Sequence, residues 1–138
     1  MGTITPDRSA KLLRIVLLID AAVFLGAALL NAGVEIPLGF GTLRFADPIW
    51  QAGTGEAIIG ATLLAAGLTG RVRLSWVAWS MSVLGILFGL SSARVQGLAR
   101  DIHVVLIPLA VLLLVALLLA RTGGGPRPSH AVPGKERR

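Results

Sequence analysis

The sequence predicts an all-α protein, an integral membrane four-helix bundle with both termini cytoplasmic. Three observations carry that prediction. The 138 residues are 54% hydrophobic and 14% charged, with a mean hydropathy of +0.79, whereas a soluble domain carries about a quarter charged residues. Four apolar stretches reach the roughly 20 residues that a helix needs to cross a bilayer core of about 30 Å. The 13 Lys and Arg outnumber the 7 Asp and Glu, for a formal charge of +6. They gather at the edges of the apolar stretches, which orients a membrane protein and does not suggest a nucleic-acid partner. The length fits one domain. With no cysteine in the chain, disulfides, thiol redox chemistry and cysteine metal sites are excluded within it.

The elements follow in order. Residues 1–14 form a cytoplasmic N-terminal segment with Arg8, Lys11 and Arg14, and residues 15–33 form the first span. A cleaved signal peptide is the competing reading of that run; Asp20 inside it, and its length, argue for a retained helix. The external loop, 34–48, alternates apolar residues with Gly and Pro. It forms either a hairpin around Gly39–Gly41 or a segment at the headgroups with Phe40 and Phe45 inserted, and an irregular loop shielding the helix ends is preferred to both. The second span, 49–68, has Gln51, Thr54 and Glu56 in its first half, so an interfacial or irregular start is expected. A tight turn over 69–73 makes the second and third helices adjacent and antiparallel. The third span is 74–93 and the fourth 102–120; together with the loops, the transmembrane domain is 15–120. The tail, 121–138, is basic and rich in Gly and Pro, which predicts a disordered cytoplasmic segment resting on anionic lipid. Arg71, Arg73 and the basic tail share the side of the N-terminus. Only Arg44, Arg94 and Arg100 face the other way, which gives the N-in, C-in topology of a multi-pass plasma (inner) membrane protein.

Small residues mark the packing faces. Ser75, Ala78, Ser82, Gly85, Gly89 and Ser92 share a face of the third span, and Gly85 and Gly89 make a GxxxG element. Gly53, Gly60 and Gly67, one heptad apart in the second span, offer a matching stripe, and the two stripes are expected to pack on each other. The same stripes are also suited to dimerisation.

The candidate functional residues are the polar groups among these apolar runs: Asp20, Glu56, Arg94, Arg100, Asp101 and His103. An ionised carboxylate at membrane depth must be paired, protonated or reached by water. Glu56 lies on the face of Gly60, so a bridge to Arg94 or Arg100 is the preferred reading, and a carboxylate that binds a cation, a proton or a headgroup is the alternative. Asp20 shares a face with Phe24, Ala27 and Asn31. Snorkelling toward Arg71 or Arg73 is preferred for it over a neutral or water-facing role. Its depth differs from that of Glu56, which argues against a shared acid/base pair. Arg100, Asp101 and His103 make a polar external cluster in which His103 is an interfacial hydrogen-bonding residue before it is a ligand or proton relay. A single histidine at that depth cannot form a bis-histidine haem site. Pro108 leaves the Val104 carbonyl without its helical partner. Trp50, Trp76 and Trp79 read as headgroup anchors. No nucleophile elbow, phosphate loop or metal-ligand spacing occurs, so no catalytic residue, metal or cofactor is predicted.

From about Gln51 to Ala120 the pattern Gly55-Glu56, Gly60, Leu63-Leu64, Gly67-Leu68 and Arg71, followed by two apolar spans, resembles the DoxX-like family of small four-helix membrane proteins. The resemblance covers roughly half the chain. It implies an accessory subunit of a membrane redox system or a protein without assigned activity; the thiol chemistry of some quinone-linked relatives would require cysteines that are missing here. Three functions remain open. The first is a non-catalytic accessory or scaffold subunit of a membrane-bound complex, a redox complex among the options. The second is a small oligomeric transporter or channel-like protein using Asp20 and Glu56. The third is a membrane enzyme acting on lipid or quinone through His103, Glu56 and Arg94. The expected partners are the lipid bilayer and another membrane protein or a second copy of the chain.

Overall fold

The computed structural model describes residues 6–92 and 96–122. They form four helices, α1 (Pro6–Asn31), α2 (Trp50–Thr69), α3 (Val72–Ser91) and α4 (Leu98–Thr122). A two-stranded hairpin, β1 (Ile36–Leu38) and β2 (Gly41–Leu43), lies between α1 and α2. All four helices are long and apolar enough to cross a membrane. They run in a ring in chain order: α1 packs on α2 and α4, and α3 packs on α2 and α4. Leu17, Phe24, Leu63, Ala66, Leu106, Leu113 and Leu117 fill the middle of the ring, each almost wholly enclosed. Ile19, Ile58, Leu68, Val77, Leu84, Phe88 and Val111 point outward. Apolar residues on the outside as well as the inside are what a bundle surrounded by lipid tails requires.

The helices are longer than the spans alone. α1 has 26 residues, about 39 Å at 1.5 Å per residue, against a bilayer core of about 30 Å. From Pro6 onward, the residues of the expected N-terminal segment form the first turns of α1. Pro6 suits a first helical turn, where its missing N–H is not needed, and Asp7 in that turn complements the helix dipole. Buried Ser9 and Leu13 carry the inward face of the helix back to this end. The second span also starts regularly at Trp50. Its polar residues do not break it, because the Thr54 hydroxyl donates to the Trp50 carbonyl at 3.1 Å and Glu56 is taken up by α1. The tail from residue 123 on lies outside the described residues.

The α2 glycines correct the expected pairing of stripes. A methyl group built on Gly53 would meet Asn31 Cβ at 2.9 Å and the Ala28 carbonyl at 3.2 Å, and one on Gly60 would meet Leu25 Cγ at 2.7 Å. On Gly67 it would meet Leu18 Cδ2 at 3.1 Å. The stripe thus seats α1, running antiparallel, and not α3. The α3 glycines serve all three other helices: Gly85 faces Ile59 of α2 and Phe24 of α1, and Gly89 lies under the His103 ring of α4. The stripes match in spacing, but spacing does not name a partner. The long side chains of α1 needed the flat face.

Two loops set the ends of the bundle. Between α2 and α3 only Gly70 and Arg71 intervene. Gly70 takes the left-handed conformation (φ 64°) and its N–H closes on the Ala66 carbonyl at 2.9 Å, which is the usual glycine end of a helix. The expected antiparallel neighbours follow. At the other end, the 34–48 segment is a hairpin and not the preferred irregular loop. Ile36 pairs with Leu43 and Leu38 with Gly41, leaving Gly39–Phe40 as the turn. Pro37 is tolerated because a two-stranded ribbon is all edge. The Arg44–Glu35 ion pair (3.5 Å) at its base is exposed on both sides and adds little. The two phenylalanines part company: Phe45 is buried, and Phe40 is 92% exposed at the tip.

The tryptophans divide as well. Trp50 is largely exposed at the start of α2, as a headgroup anchor would be. Trp76 and Trp79 instead stack edge to face with ring centroids 5.8 Å apart, and the Trp79 indole N–H donates to the Ala110 carbonyl of α4 at 2.9 Å. Trp79 is seven residues, about 10 Å, inside α3. Its N–H finds a backbone carbonyl there in place of a headgroup.

Candidate functional site

The buried polar residues form two nodes at different depths. The first lies at the hairpin end. Asn31 is the last residue of α1, and its amide side chain is used at both ends. Nδ2–H donates to Glu56 Oε2 at 2.8 Å, and Oδ1 accepts the N–H of Ile49 at 3.0 Å. Ile49 is the residue that opens α2 and has no side-chain cap of its own. One asparagine therefore ties the end of α1, the exit of the hairpin segment and the second turn of α2. Gly53 makes this possible, since its missing side chain lets the Asn31 backbone close on α2. His103 of α4 is buried beside this node and is an electrostatic neighbour of Glu56. Its Nδ1 lies 2.7 Å from the Ala99 carbonyl one turn back; a carbonyl only accepts, so Nδ1 carries the hydrogen. The ring edge bearing Nε2 packs on Gly89.

The expected Glu56 bridge to Arg100 is absent among the described residues. Arg100 is exposed, and Asn31 holds the carboxylate without bringing a guanidinium into the helix seam. Arg94 lies outside the described residues. The polar cluster expected over residues 100–103 also separates: Arg100 and Asp101 are exposed, Asp101 in the first turn of α4, while His103 turns inward. His103 has the hydrogen-bonding part expected of it, but inside the bundle and not at its surface.

The second node is at mid-depth. Asp20 is 0% exposed, and its Oδ2 accepts from the Ser82 hydroxyl across the ring at 3.2 Å. Oδ1 is buried and has no hydrogen-bond partner among the described residues. The preferred snorkelling toward Arg71 or Arg73 is thus overturned. Asp20 lies with buried Leu17, Ala21 and Phe24 on the inward face of α1 and is itself wholly enclosed. The shared face of Asp20, Phe24, Ala27 and Asn31 is real, since all four are buried. Eleven residues still separate Asp20 from Asn31, about 16 Å along the helix, so the two carboxylates serve separate nodes.

Sequence reasoning missed the partners and not the actors. Ser82 was readable as a small packing residue, but its hydroxyl is the donor to Asp20. Asn31 was visible on the right face, yet the signal that it meets Glu56 lay in Gly53, the one stripe position level with it. No family model, curated protein or solved structure matches the chain.

Proposed function

We propose that this chain is a non-catalytic integral membrane protein, an accessory or scaffold subunit of a membrane-bound complex. It lies in the plasma (inner) membrane with both termini cytoplasmic, and a DoxX-like, redox-linked setting is part of the same proposal. The observation that carries it is the braced hairpin. Asn31 and Glu56 fix both ends of the external segment, and the hairpin they hold presents Phe40 almost fully exposed. A large apolar side chain on an ordered projection has little ordering entropy left to lose on binding, and aromatic anchors of this kind dominate interface energies. The buried polar groups of the first node are occupied in holding that projection. The test is Phe40→Asp. The variant should keep wild-type thermal stability in gentle detergent and lose at least about 2 kcal/mol of partner affinity, about thirtyfold, in quantitative co-purification. Unchanged recovery of the same stoichiometric partner would count against the reading.

A second reading, a small oligomeric transporter or channel-like protein, is favoured by one observation, the orphaned Oδ1 of Asp20. Intramembrane carboxylates of that kind mark ion and proton pathways. On that reading, Asp20→Asn folds normally and abolishes pH-dependent flux in liposomes. On the scaffold reading, liposomes of the wild type and of Asp20→Asn show the same background flux.

A further inference from the structure

A cavity of about 520 Å³ opens at the end of the bundle opposite the hairpin, between the first turns of α1, the α2–α3 turn and the end of α4. Its volume is within the range of sites that hold small ligands. Its walls are of two kinds. Leu13 and Leu17 of α1, Val72 of α3 and Ala120 of α4 make an apolar floor, and Lys11 and Arg14 stand on the rim, with Asp7 at its outer edge. Lys11 and Arg14 are three residues apart and so share one side of α1. Arg14 is not loose: its Nη2 lies 2.9 Å from the place a Gly70 side chain would take. The left-handed glycine thus seats the guanidinium against the turn. Around the rim, Arg8, Arg71, Arg73 and Arg121 are all exposed, so the field at this end is strongly positive.

We infer that this cavity is a binding site for an anionic phospholipid, with the phosphodiester between Lys11 and Arg14 and an acyl chain along Leu13, Leu17, Val72 and Ala120. The chemistry of the walls selects this ligand. A guanidinium and an ammonium presented from one side of a helix suit a phosphodiester. A free phosphate has no use for the apolar floor, and a zwitterionic lipid brings its own cation to a basic rim. Asp7 is an acceptor placed for headgroup hydroxyls. Basic pockets between membrane helices on the positive side are a recognised way of holding acidic lipids. The site is independent of the hairpin and of the proposed partner.

The test uses the purified full chain, partly delipidated in detergent, with thermal stability read against added lipid. Phosphatidylglycerol should raise Tm at concentrations where phosphatidylcholine does not. Two surface cations contribute about 1 kcal/mol each, so the Lys11→Gln/Arg14→Gln double variant should need roughly thirtyfold more phosphatidylglycerol for half the shift. Arg73→Gln/Arg121→Gln, which removes the same charge outside the cavity, should titrate like the wild type. Val72→Trp, which fills the floor and keeps every charge, should lose the phosphatidylglycerol response and so separates occupancy of the cavity from any effect of charge on folding. Equal weakening by both charge variants would show a diffuse basic surface and overturn the site. An equal Tm rise with soluble glycerol phosphate would assign it to free phosphate and overturn the lipid.

Discussion

Asn31→Ala is expected to lower the stability of the folded protein by about 2–4 kcal/mol, measured by unfolding in mixed detergent. The size of the effect separates two accounts of the residue. A neutral hydrogen bond between membrane helices is worth about 0.6 kcal/mol on average. A loss no larger than that would make Asn31 one polar contact among several. The geometry predicts more, because the amide is the hydrogen-bond donor to a buried carboxylate and at the same time the acceptor for Ile49 N–H. Removing it strands both groups, and an uncompensated buried carboxylate is the costlier of the two. Glu56→Gln keeps an acceptor oxygen for Asn31 and should cost about 1 kcal/mol or less. In the double variant Asn31→Ala/Glu56→Gln the stranded group is neutral, so the two losses should add to less than their sum. Full additivity would mean that the two side chains do not depend on each other.

The second large effect is expected at Gly60. A side chain there would start 2.7 Å from Leu25 Cγ and 3.1 Å from the Leu25 backbone nitrogen. The leucine side chain can move, but the α1 backbone can give way only if the helix shifts. Gly60→Leu should therefore cost about 3 kcal/mol, the upper end for overpacked sites, and separate α1 from α2. Leu25→Ala should rescue it in part. A control lies one and a half turns away in the same helix: nothing is within 4 Å of a methyl group on Gly55. Gly55→Ala should be neutral or stabilising by up to about 1 kcal/mol, from helix propensity alone. Rescue of Gly60→Leu by enlarging space on α3 and not on α1 would contradict the assignment of the stripe.

These two residues also show what the sequence could and could not disclose. Span number, the tight α2–α3 turn and the shared face of Asp20 and Asn31 were all legible, because they depend on apolar run length, loop length and helical period. Each of these is local. The partner of the Gly53–Gly60–Gly67 stripe was not local. Two small-residue faces of equal spacing looked complementary, yet small residues attract large neighbours, and α1 supplied Leu18, Leu25 and Asn31 at the matching heights. The same limit hid the partners of the polar residues. Charge complementarity pointed from Glu56 to Arg94 or Arg100; of the two, Arg100 is described and is exposed, and the carboxylate instead bonds the neutral Asn31 amide. Asp20 had arginines within reach of a snorkelling side chain by sequence, but the inward face it shares with Leu17 and Phe24 turned it toward Ser82. Trp79 read as a headgroup anchor because aromatic residues collect near span ends. Its bond to the Ala110 carbonyl depends on how α3 and α4 pack, which no single-helix pattern contains. The hairpin was among the options because Gly39 and Gly41 bracket one residue; the sequence could not reveal that Asn31 would hold its exit.

The most direct measurement is site-specific photocrosslinking in native membranes, with the reactive group placed at Phe40 and, as a control, at Phe88 on the outward face of α3. The scaffold account predicts one discrete protein adduct from Phe40, lost when Asn31→Ala releases the hairpin and absent from Phe88, which should capture lipid. Lipid adducts alone at both positions, or a protein adduct at Phe40 indifferent to Asn31, would contradict it.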